Sequence, residues 1–105
     1  MTVSEHHRAR RYSFVAGIQV TDLAKGKQLV AHTQDLSSFG CLVETVTPFA
    51  DGTKVRVRIT RGGARLIAQG RVVHSQPNAG MGVVFISFEP GSLPTLESWL
   101  TELRK

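Results

Sequence analysis

From Tyr12 onward the apolar residues recur at every second position, the period of a strand whose two faces meet different surroundings. Lys54 to Thr60 shows it most clearly: Val55, Val57 and Ile59 are predicted to face a core, with Lys54, Arg56, Arg58 and Thr60 facing solvent. Comparable runs occur at Tyr12 to Thr21, Gln28 to Leu36, Gly40 to Thr45, Arg65 to Ser75 and Met81 to Phe88, which gives six strands in all. Turn residues fill the gaps, and the Gly62-Gly63 pair predicts a tight hairpin, because glycine reaches positive φ without a steric penalty. The period then changes. Leu93, Leu96, Leu100 and Leu103 stand three, four and three apart with Trp99 beside them, which predicts a helix over 92–104 with Ser92 as its N-cap. Its apolar stripe either covers an open end or side of the sheet or forms a dimer surface, so a homodimer stays open. The fold class expected is mainly β, a six-stranded antiparallel β-barrel over 12–104 closed by a C-terminal α-helix.

Composition agrees with one self-sufficient domain: 105 residues, 41% hydrophobic and 20% charged, are enough for a core without metal or disulfide support. The single cysteine, Cys41, excludes an intrachain disulfide and reads as a small buried apolar residue in a cytoplasmic protein. No apolar run is long enough for a membrane span, so no membrane insertion is expected. The formal net charge of +5 favours anionic partners. Lys54, Arg56, Arg58 and Arg71 are not interleaved with aromatic residues as a nucleic-acid track requires, and they read as a solvated strand face. His32 and His74 lack a partner at metal-ligand spacing.

Two segments at strand ends carry candidate chemistry. The first is the basic arm His6-His7-Arg8-Ala9-Arg10-Arg11, within a flexible N-terminal stretch 1–11; the second is Asp35-Leu36-Ser37-Ser38-Phe39-Gly40, between the second and third strands. The arginine fork matches phosphate oxygens and the O6/N7 edge of guanine. A carboxylate at Asp35 can accept from guanine N1 and N2, Ser37 can bond a phosphate or base edge, and Gly40 lets backbone approach closely. Alternatively, Asp35 and Ser37 are turn formers that bond their own backbone.

Asp35-Leu36-Ser37-Ser38-Phe39-Gly40 resembles the D/N-x-S-x-x-G motif of PilZ domains, and the basic arm lies where that family places R-x-x-x-R. Val72-Val73-His74-Ser75 and Met81-Gly82-Val83-Val84-Phe85 are similar to its late strands. The resemblance implies a bacterial signalling domain that binds cyclic di-GMP through His7, Arg8, Arg10, Arg11, Asp35, Ser37 and Gly40, and that acts through an effector protein. The family's first arginine falls on His7, so the arm reads His7-x-x-x-Arg11 with Arg8 and Arg10 as extra cations. A charged fork lost there costs about 1.5 to 3 kcal/mol. The alternative is a protein-interaction adaptor of the same fold that has lost nucleotide binding. No set of nucleophile, base and oxyanion donors can be given roles, so an enzyme is not expected, nor a cofactor or metal.

Overall fold

The computed structural model describes residues 10–105; the flexible-arm reading of residues 1–11, with His7 and Arg8, lies outside these apart from Arg10 and Arg11. The strands are β1 Tyr12–Ser13, β2 Gly17–Asp22, β3 Gln28–Leu36, β4 Gly40–Glu44, β5 Lys54–Arg61, β6 Ala64–Gln76 and β7 Gly80–Phe88, followed by helix α1 Ser92–Leu103. Strands β2 to β7 close into an antiparallel ring in the order β3-β2-β5-β6-β7-β4, with β4 pairing back onto β3. This is the predicted six-stranded barrel. Its interior holds the residues that the alternation assigned to it: Val55, Val57 and Ile59 are fully buried, as are Val20, Leu36, Val43, Leu66, Val72 and Met81. Gly62 and Gly63, both at positive φ, turn β5 into β6 with Arg61 opposite Ala64.

The first predicted strand is broken rather than continuous. Ser13 stands opposite Asp35 and Gly17 opposite His32, so Phe14, Val15 and Ala16 face only Thr33 and Gln34. One extra residue bulges the chain and shifts its register against β3, while Phe14 and Ala16 stay inward and Val15 exposed, in step with β2. Thr33 fills the irregularity: its buried hydroxyl donates to the Phe14 carbonyl at 2.6 Å and accepts from the Ala16 N–H at 3.0 Å. No alternation pattern shows this, because the partner that stabilises it lies on another strand.

Helix α1 packs on β6, with Leu96 and Leu100 buried and the Trp99 ring 5.1 Å from that of Phe14. Two helix expectations need correction. Leu93 lies outside the buried stripe, at 45% exposure. Ser92 is not the N-cap; Gly91 is, at φ 87°, and the buried Ser92 hydroxyl accepts the Ile67 N–H at 2.8 Å. With Glu89 N–H bonded to the Ile67 carbonyl, Ser92 takes over the acceptor position that β7 would supply had it continued. Among the described residues no helix is long and apolar enough to cross a membrane.

Candidate functional site

The last two residues of β3 are paired on both sides, with β1 on one flank and β4 on the other. Since β1 runs antiparallel to that end, Arg11 arrives beside Asp35, and Arg11 Nη1 lies 3.1 Å from Asp35 Oδ1. The same Oδ1 accepts the Leu42 N–H at 3.0 Å, which fixes the carboxylate. Among the described residues Oδ2 has no partner and remains an open acceptor. With side-chain exposures of 59% for Arg11 and 21% for Asp35, the ion pair contributes at most about 1 kcal/mol. A ligand offering either side a stronger partner can displace it.

The turn after β3 is built by its own serine. Ser37 is buried, and its hydroxyl accepts the N–H groups of Phe39 at 3.1 Å and Gly40 at 3.3 Å. The tip is pinned to β7, where Phe85 N–H donates to the Phe39 carbonyl at 2.8 Å. Gly40 is glycine for a reason other than ligand approach: a Cβ there would collide with the Val83 carbonyl of the adjacent strand. Ser37 and Gly40 therefore shape the site by fixing its turn and seam.

Arg11, Asp35, Ser37 and Gly40 come together around one open cavity of about 600 Å³. Leu42, Gly82 and Val84 also line it, with Phe39 and Phe85 and, from β6, Val73 and His74. Apart from Arg11, Asp35, Ser37 and His74 the lining side chains are apolar, which suits a flat ring that stacks by its faces and is read at its polar edges. Arg10 is not in the wall; its guanidinium carbon lies 5.8 Å from the Tyr12 ring centroid. Sequence reasoning missed His74 as a lining residue. It sits at φ 52° where the pairing of β6 with β7 slips between Val73 and Gln76, and the slip leaves it exposed at the cavity edge. Neither positive φ nor an irregular register is visible in a lone histidine. Among the described residues no group of three His, Cys, Asp or Glu is placed to hold a metal.

Cys41 lies buried in the cavity wall, and burial pushes its thiol up to about 12 from an ordinary 9.0; the Asp35 carboxylate adds to the rise and Arg11 opposes it. Raised in the fold, this pKa contributes stability that is fully present below about 9 and lost as pH rises toward 12. Iodoacetamide at pH 8 is expected to label Cys41 slowly in the native protein and rapidly in urea. Equal rates in the two states, measured by mass spectrometry, would contradict this burial.

A scan of protein families matches residues 4–102 to the family described as PilZ domain. No curated protein matches the sequence. Among solved structures, the PilZ domain of CeSA from a cellulose-synthesizing bacterium superposes with a TM-score of 0.72 at 19% identity, covering 92% of this chain and 100% of that one. The Bacillus subtilis inhibitor of motility MotI/DgrA gives 0.72 at 14% identity over 92% of this chain and 50% of its own. The PilZ domain of YcgR from Escherichia coli, solved with c-di-GMP, gives 0.56 at 23% identity over 92% and 90%. At these identities the superpositions speak for the fold.

Proposed function

Because the chain belongs to the PilZ domain family, we propose that it is a cyclic di-GMP receptor module, not an enzyme, that signals through a partner protein. The observation that carries this reading is the meeting of arm and serine-motif turn at one cavity, with Arg11 on Asp35 at its rim. Ligand phosphate or guanine takes the Arg11 fork, guanine N1 and N2 donate to Asp35, and a purine face lies against the apolar wall. Arg8 and Arg10 supply further cationic contacts from the arm, and His7 a hydrogen-bonding imidazole. Ser37 and Gly40 act by holding the turn. The adaptor reading has one observation in its favour: Asp35 Oδ1 and the Ser37 hydroxyl already have partners inside the chain.

Calorimetric titration with cyclic di-GMP, with GTP and cyclic di-AMP as controls, separates the two readings. Arg11→Ala is expected to weaken binding by roughly 10- to 100-fold, the loss of one charge-assisted fork. Asp35→Asn keeps an acceptor for the Leu42 N–H but places donors against the ligand's donors, and is expected to cost a similar factor. His7→Arg is expected to tighten binding by about tenfold at pH 7.5, since a guanidinium stays charged where imidazole does not. No heat from the parent protein with any of the three nucleotides would leave the adaptor reading; unchanged affinity in both weakened variants would move the ligand elsewhere.

A further inference from the structure

A second hollow of about 500 Å³ opens between the β5–β6 hairpin and the last turns of α1, lined by Phe14, Arg61, Trp99, Glu102 and Leu103. It shares no lining residue with the Arg11–Asp35 cavity. The Arg61 guanidinium lies over the Phe14 ring, 4.5 Å from its centroid, and Phe14 in turn packs against Trp99. Glu102 is drawn to Lys105, 3.3 Å away, so among the described residues Arg61 has no carboxylate partner. An exposed, oriented guanidinium thus stands at the edge of an aromatic and aliphatic surface, with its charge unanswered among the described residues. Stacking on an aromatic ring limits its freedom, so less entropy is lost when it takes an anion.

We propose that this hollow is a docking site for a segment of a partner protein in which an apolar side chain stands beside a carboxylate. The apolar group lies against Trp99 and Leu103, and the carboxylate takes the Arg61 fork. Tryptophan and arginine together are the residue types that dominate the energetics of protein interfaces, which favours a protein segment over a free metabolite. Charge complementarity selects the acidic member: a neutral segment leaves the fork unpaired, and a basic one meets Arg61 as a like charge.

The test follows backbone and indole N–H signals of the full chain by NMR, without nucleotide, so that it stands whether or not the first cavity binds cyclic di-GMP. The probes are the blocked peptides acetyl-Gly-Leu-Glu-Gly-amide and acetyl-Gly-Leu-Gln-Gly-amide. The glutamate peptide is expected to shift the Trp99 indole and Leu103 amide saturably, on the order of millimolar, and the glutamine peptide about fivefold more weakly, the factor one partly exposed ion pair supplies. Arg61→Gln should erase the difference between the peptides and Arg61→Lys should keep part of it. Equal response to both peptides, an undiminished preference in Arg61→Gln, or no saturation with either would overturn the proposal. So would tighter binding of free benzoate than of the glutamate peptide, which would give the hollow to a small aromatic acid.

Discussion

Replacing Gly40 with alanine is expected to destabilise the barrel by about 3 kcal/mol, toward the upper end of what overpacking does. Gly40 opens β4 opposite Val84, and the two strands approach so closely there that an added methyl would meet the Val83 carbonyl oxygen and carbon and the Val84 Cα. All three are backbone atoms, held by pairing on both sides of β7, so no side chain can swing away to relieve the contact. In a domain of this size such a loss lowers Tm by roughly 15 °C. Gly17→Ala is the matched control: its new methyl would lie 3.7 Å from Thr60 Oγ1, an ordinary contact, and its effect should be small. Thermal and urea unfolding followed by circular dichroism measure both. If Gly40→Ala is as stable as Gly17→Ala, the close approach of β4 and β7 is wrong.

Thr33→Val should be of comparable severity although it barely changes volume. The Thr33 hydroxyl is the link that lets the bulged chain before β2 keep its backbone groups satisfied, taking the Ala16 N–H and supplying the Phe14 carbonyl. Valine leaves one buried donor and one buried acceptor without these bonds, a loss of about 2 to 4 kcal/mol. Thr33→Ser keeps the hydroxyl and loses a single methyl, costing about 1 kcal/mol. Amide exchange at Ala16 distinguishes this mechanism from general loosening: protection there should fall further than at Val57, in the middle of β5. Under the proposed function cyclic di-GMP affinity should fall as well, since Arg11 is only three residues before Phe14 and depends on the same local path. A valine variant as stable as the serine one would show that the bulge finds its partners elsewhere.

The parts of this fold visible in the sequence are those whose cause is local. Val55, Val57 and Ile59 alternate with polar neighbours because a strand has two faces, and Gly62-Gly63 turns because only those φ values close a two-residue loop. The nearness of Arg11 to the serine motif was legible for a similar reason, each lying in a short contiguous string at a strand end. What stayed hidden depends on a partner remote in sequence. Gly40 is dictated by Val83, Ser92 by Ile67, and the break before β2 by Thr33. His74, Val84 and Phe85 enter the cavity only because β4 pairs with β7 and β6 slips against it, and neither event leaves a mark in a composition or a period.

The order of strands in the ring also says how the chain can assemble. Strands β2, β3 and β4 follow one another as neighbours, and so do β5, β6 and β7; within the ring, only the pairings of β2 with β5 and of β4 with β7 join strands that are not consecutive along the chain. Each meander can form through short loop closures, whereas the two seams between them need long ones, whose entropic penalty must be met before their contacts are gained. The slow step of folding is therefore expected to be the docking of the two meanders, which folding kinetics of variants at the two seams would test. The candidate ligand cavity lies across one of those seams, with Leu42 from the first half and Val84 from the second in its wall. It comes into being only when docking is complete, so a ligand held there clamps the halves together and slows their separation more than it speeds their meeting.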